Sequence, residues 1–137
     1  MDGNGVVTPR DVIDLLTTAK RKQLDECAAN LSGQSDHLIG SSAIVYGLGE
    51  LSRRKRQTYL EAEFPHLWKH IRRFITGKTE YSIRAFRDMF GKNAEAIADD
   101  LLSIGLLSQE KRRDGTTTFK IPFVYREGLE LTQGKVS

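Results

Sequence analysis

Three short clusters in this chain combine residue types and spacings that bear on chemistry. Gly77-Lys78-Thr79 matches the end of a phosphate-binding P-loop, where backbone N–H groups cradle phosphates and a lysine reaches the outer ones. That loop needs another glycine five residues before Gly77, and Arg72 stands there. Residues 67–75 read as helix, so Gly77 is expected to end a helix and to lead into a polar linker. In a second cluster, Asp2, Asn4, Val6 (through its carbonyl), Thr8 and Asp11 have the spacing of the later ligands of an EF-hand loop, with Gly5 at the turn. Counting back places the first ligand before Met1, no entering helix is present, and Asp11 is shorter than the bidentate glutamate. Asp-Gly-Asn-Gly therefore reads as a turn. His66 and His70 are one helical turn apart, but a zinc-protease helix needs glutamate beside the first histidine, and Leu67 is there. The third histidine, His37, is distant in sequence. Cys27 is the sole cysteine, which excludes an intrachain disulfide, and it reads as a small apolar packing residue. No Ser/His/Asp or Cys/His arrangement is recognisable. The expectation is a non-catalytic chain that calls for no metal and no cofactor.

The basic residues offer a different chemistry, that of phosphate backbones. Net charge is only +3, but its distribution is uneven. Residues 1–40 hold four Lys/Arg against six Asp/Glu, residues 41–80 eight against four, and residues 81–137 nine against eight. Arg53, Arg54, Lys55 and Arg56 are consecutive; on a helix they cannot all face one partner. Lys111, Arg112 and Arg113 precede Asp114-Gly115, and Arg84, Arg87 and Lys92 lie upstream of them. No apolar run approaches membrane-spanning length and no secretory leader is evident, so the expectation is a cytoplasmic protein without a membrane partner.

These side chains are positioned by elements with readable signals. Thr8, Pro9 and Asp11 mark a helix start, followed by Val12, Leu15, Leu16, Ala19 and Cys27, which predict an amphipathic helix over about 8–31. A Ser/Gly-rich loop at 32–42 leads to a helix over about 42–63, with Ile44, Leu48 and Leu51 as its early stripe. Phe64-Pro65 breaks it and opens a third helix over 65–76. Then Ser82 caps a helix carrying Ile83, Phe86 and Phe90, and Gly91 ends it in an αL conformation. Asn93 caps the next helix, with Ile97, Leu101 and Ile104 on one face, and Gly105 closes it. Leu106–Lys111 and Thr116–Ile121 flank Asp114-Gly115 as a hairpin. Two tandem helices followed by a hairpin are the core of a winged helix-turn-helix. The expected fold is mainly α: a helical extension over 1–78 with three helices, a winged helix-turn-helix with a two-stranded wing over 79–126, and a tail over 127–137. After the hairpin, Val124–Leu131 is expected to add a turn and a short strand, and Thr132–Ser137 to fray.

A winged helix first suggests DNA, because the second helix of the pair reads base edges in the major groove. Here the side chains left outward on that helix include Glu95, Asp99 and Asp100 and no Lys or Arg. Phosphates repel such a face, so Glu95, Asp99 and Asp100 suit a basic protein partner. DNA contact, as the alternative, falls to Lys111, Arg112 and Arg113, supported by Arg84, Arg87, Lys92 and the Arg53–Arg56 cluster.

At its end, Ile121–Lys135 (IPFVYREGLELTQGK) resembles the C-terminal end of prokaryotic P-loop ATPases of the AAA+ and STAND kind, in which a winged helix follows the ATPase core. The start, Gly5–Gln23, resembles the helix after the last ATPase elements in such proteins. There an arginine at a helix start, followed by Leu-x-x-Ala, acts as a second sensor of the nucleotide. The resemblance places Arg10 in that role, with Leu15, Leu16 and Ala19 behind it. This chain departs from the family in having neither a Walker A lysine in context nor a Walker B strand. What the resemblance implies is a regulatory or interaction domain whose partner is an ATPase core or another protein.

Overall fold

The computed structural model describes residues 1–29 and 39–137. His37, most of the Ser/Gly-rich loop and the expected helix end at Leu31 lie outside the described residues. The chain is mainly helical and carries a four-stranded sheet. Helix α1 (Pro9–Ala29) and α2 (Ser41–Lys55) come first; α2 runs on through a π-helical turn, Arg56–Glu61. Helix α3 (Pro65–Ile71) ends in a 3₁₀ turn at Arg72–Phe74 and is shorter than its periodicity suggests. Strand β1 (Lys78–Ser82), α4 (Ile83–Phe90), α5 (Ala94–Ser103), β2 (Ser108–Lys111), β3 (Thr117–Lys120), α6 (Phe123–Arg126) and β4 (Thr132–Val136) complete the order.

The local signals act where they stand. Thr8 Oγ1 accepts from the Asp11 amide at 3.2 Å, and Ser82 Oγ accepts from the Ala85 amide at 3.0 Å, satisfying first-turn donors of α1 and α4. Gly91 ends α4 at φ 65°, ψ −139°, which is the mirror-β region rather than αL and is open to glycine alone. Asn93 stands before α5 but its side chain makes no capping bond, because a 3₁₀ turn over Gly91–Asn93 already leads into the helix. Asp114 Oδ1 accepts from the Thr116 amide at 2.9 Å and from its hydroxyl at 2.6 Å, which closes the hairpin turn.

Two sequence expectations fail at the sheet. Residues 78–82 are not a linker: they form β1, an inner strand of the order β2-β3-β1-β4. Lys-Thr-Glu-Tyr-Ser has one large apolar residue, so its alternation is faint, yet Thr79 and Tyr81 are the buried side and Lys78, Glu80 and Ser82 the outer one. Residues 132–136 do not fray: they pair with β1 in parallel, while Phe123–Arg126, expected to lead into a strand, is helical. The expected two-stranded hairpin exists as β2 and β3 but is half of a larger sheet, and β3 pairs with β1 antiparallel, Tyr81 opposite Phe119.

The core lies between this sheet and the helices α3, α4 and α5. Phe74 is its centre, with ring centroids 5.2 Å from Tyr81, 5.7 Å from Phe90 and 6.2 Å from Phe86; Phe119 closes on Phe86 at 5.0 Å. The buried hydroxyl of Thr79 ties β4 to β1, donating to the Gly134 carbonyl and accepting from its amide, both at 3.2 Å. Thr79→Val keeps the shape and removes both bonds, so a loss of about 1–3 kcal/mol is expected. Urea unfolding measures it, and faster amide exchange across residues 132–136 marks β4 as the element released.

Candidate functional site

The outer face of α5, the hairpin beside it and the outer side of α4 carry exposed charges of the sheet module. Ile97, Ala98 and Leu101 are buried, which turns Glu95, Asp99 and Asp100 to solvent. Between α4, α5 and the hairpin runs a groove of about 270 Å³. Its floor is Ile83, Phe86, Ala98, Leu102 and Phe119, and Arg87, Glu95, Asp99 and Gln109 line its sides. Glu95 pairs with Arg87 at 3.1 Å, both side chains exposed, so one of the three acids and one of the candidate DNA-contacting bases are matched to each other. Exposed pairs of this kind contribute little to stability. Arg84 and Lys92 are exposed and form no ion pair among the described residues.

At the hairpin Lys111, Arg112 and Arg113 are exposed. Arg112 reaches back to Glu80 on β1 at 3.4 Å. Lys120 bridges Glu80, at 3.6 Å, and Glu110, whose direct hydrogen bond to Lys120 draws its carboxyl below the usual range. The same bond raises Lys120. Lys111 and Arg113 have no acidic partner among the described residues, and they are the hairpin's uncommitted charges.

The Arg53–Arg56 cluster has a different environment. Arg53 binds Glu50 and, at 2.9 Å, Glu127 beyond α6. Arg54 meets Asp14 at 3.3 Å and Lys55 meets Asp11 at 2.8 Å, both on α1. Arg56 pairs with Glu61 at 3.0 Å, donates to the Gly128 carbonyl at 3.0 Å and stacks on Trp68 at 5.5 Å. Four adjacent bases thus fan out around the helix and fasten α2 to α1, to α3 and to the α6 segment. Each is paired with an acid of the same chain, Arg53 and Arg54 at the surface and Lys55 largely covered, which sequence counting could not register.

Arg10 is exposed at the start of α1 and lines a cleft of about 400 Å³ with Asp2, Asp11, Asp14, Lys55 and Glu63. The N-terminal turn forms one side: Asp2 Oδ1 accepts from the amides of Asn4 and Val6, both at 2.9 Å, and Gly3 donates to the Gly105 carbonyl at 2.7 Å. Asp2 is therefore engaged as a turn-former, the turn reading of Asp-Gly-Asn-Gly. Among the described residues no group of three or more His, Cys, Asp or Glu is placed to hold a metal ion. His66 is exposed; His70 packs edge-on to Phe90 at 5.8 Å, and burial with nearby Lys69 and Arg73 lowers its pKa. Gly77 closes the turn after Phe74, and Lys78-Thr79 enters β1, so these residues form no phosphate cradle. Cys27, expected in the packing, is exposed.

Sequence reasoning missed Ile83, Leu102 and Gln109 at the groove. Their types carry no chemical signal; only the approach of hairpin and helices makes them neighbours. Comparison with protein-family models, with curated proteins and with solved structures returns no match to this chain. Among the described residues no helix is long and apolar enough to cross a membrane.

Proposed function

We propose that residues 79–126, with α3 packed before them, work as a winged helix-turn-helix that faces protein, a non-catalytic regulatory or interaction domain associated with a P-loop ATPase. The order α3, β1, α4, α5, β2, β3, with β3 between β2 and β1, supports the winged-helix reading. The observation that carries the function is the outward face of α5, where Glu95, Asp99 and Asp100 stand in the position that in a DNA reader holds base-contacting donors. Acids there repel phosphate and complement Lys/Arg on a partner. Arg10, at the start of α1, is the residue that would sense nucleotide on an ATPase core, and the α1–α2 pair would carry the resulting movement to the sheet module.

The test is binding of the chain to the P-loop ATPase encoded upstream of it or beside it, measured by calorimetry. The triple change Glu95→Lys, Asp99→Lys, Asp100→Lys is expected to weaken binding at least about tenfold, since reversed charges meet like charges across the interface. Undiminished binding by the triple variant would sink the α5 reading.

The rival reading is a nucleic-acid module, favoured by the uncommitted Lys111 and Arg113 with exposed Arg84 and Lys92. It requires a duplex-DNA complex at low ionic strength that Arg112→Glu with Arg113→Glu abolishes. Its affinity must also fall steeply with salt, by roughly 0.9 in log–log slope for each phosphate contacted. The protein-facing reading expects no complex at low salt.

A further inference from the structure

Among the described residues, helix α1 has an apolar side without a neighbour. Helix α1 packs chiefly on α2. It offers α2 the side that carries Leu15, Ala19 and Lys22: a Cβ on Gly47 would lie 3.0 Å from Leu15 and 3.4 Å from Ala19, and Lys22 stacks on Tyr46 at 5.1 Å. At 3.6 residues per turn, Ile13, Leu16, Lys20, Leu24 and Cys27 fall on the other side, with Val12 at its edge. All are exposed: Ile13 by 63%, Leu24 by 59%, Leu16 by 48% and Val12 by 40%. Sequence periodicity had mixed the two sides, placing Val12, Leu16 and Cys27 in the same stripe as Leu15 and Ala19.

We propose that this second stripe is the interface of a homodimer in which α1 packs antiparallel on α1 of another copy. The occupant follows from the spacing. The intervals 13, 16, 20, 24, 27 read the same in both directions about Lys20. A two-fold axis at Lys20 therefore sets Ile13 against Cys27 of the second copy and Leu16 against its Leu24, the self-complementarity that an isologous contact demands. The exposed surface of the stripe is on the order of 500 Å² per copy, so the most the pair can cover is ~1,000 Å² in total, the low end of specific interfaces and the size of a weak, reversible dimer. Lys20 meets Lys20 at the axis; its methylene stem lies along the stripe and its ammonium reaches water at the rim. A lysine in such a seam fixes the register and weakens the pair, so the dimer is concentration-dependent. This interface is separate from α5 and stands whether or not the protein-facing reading of α5 holds.

The experiment is sedimentation equilibrium of the full chain up to high micromolar concentration, with two kinds of variant. Wild type is expected to dimerise reversibly, Leu16→Glu and Leu24→Glu to remain monomeric, and Lys20→Leu to dimerise about tenfold more tightly. These positions are exposed in the single chain, so each monomeric variant is expected to keep the circular dichroism of wild type and to match its thermal midpoint at dilutions where wild type is monomeric. A short bismaleimide is expected to link two copies of Ile13→Cys, through residue 13 of one and Cys27 of the other, and to leave wild type unlinked because its two Cys27 residues lie at opposite ends of the pair. A monomeric wild type, a dimer that survives Leu16→Glu, or efficient Cys27–Cys27 linkage in wild type would each overturn the proposal.

Discussion

Phe74→Ala is expected to remove about 3–5 kcal/mol of unfolding free energy. Phe74 has no solvent exposure and its ring meets those of Tyr81, Phe86 and Phe90 within 6.2 Å. It therefore joins three elements at once: the turn after α3, strand β1 and helix α4. Alanine loses the transfer free energy of the ring and leaves a space that aromatic neighbours on two separate elements, β1 and α4, cannot close together. Small domains hold roughly 5–15 kcal/mol in all, so a loss of this size is about a fifth or more of the total. Urea unfolding is the measurement, with the slope m unchanged if both end states are preserved. A loss below about 1 kcal/mol, the range of ordinary substitutions, would show that the ring does not hold the core.

Gly128→Ala is the second large effect, expected at about 2–3 kcal/mol. A Cβ at Gly128 would stand 2.4 Å from the Ser52 carbonyl oxygen and 2.8 Å from its carbon, backbone atoms that cannot swing aside. The Gly128 amide also donates to Ser52 Oγ at 2.7 Å, and its carbonyl accepts from Arg56 at 3.0 Å. To admit a methyl group, the segment after α6 has to lift off α2, breaking both bonds and the Arg53–Glu127 contact. Because β4 follows directly, its pairing with β1 is expected to loosen as well, and amide exchange over residues 132–136 reads this out. Ser52→Ala serves as the comparison: it removes the hydroxyl without a clash and is expected to lose about 1–3 kcal/mol through the unpaired Gly128 amide. If Gly128→Ala were neutral, the close approach of α2 and the α6 segment would not exist in solution.

These two positions separate what could be read from the chain from what could not. By itself the sequence determined the elements whose causes are local. Thr8 and Ser82 cap helices through amides three residues on, Gly91 and Gly105 end them at φ 65° and 78°, and Asp114-Gly115 turns a hairpin, so α1, α4, α5, β2 and β3 were legible. The buried stripe of Ile97 and Leu101 likewise fixed which face of α5 is outward, and with it the acidic character of that face. Tertiary structure alone decided the rest, because each remaining feature depends on a partner far along the chain. Strand β1 has too few apolar residues to announce itself and exists through pairing with β3 and β4; β4 is a strand only because β1 is beside it. Arg53–Arg56 look like a phosphate-binding cluster in sequence and become fastenings in space, since acids on α1 and beyond α6 reach them. The two apolar sides of α1 show one blurred periodicity until α2 covers one of them. A pattern along the chain records which residues avoid water; which neighbour excludes that water is settled only when distant segments meet.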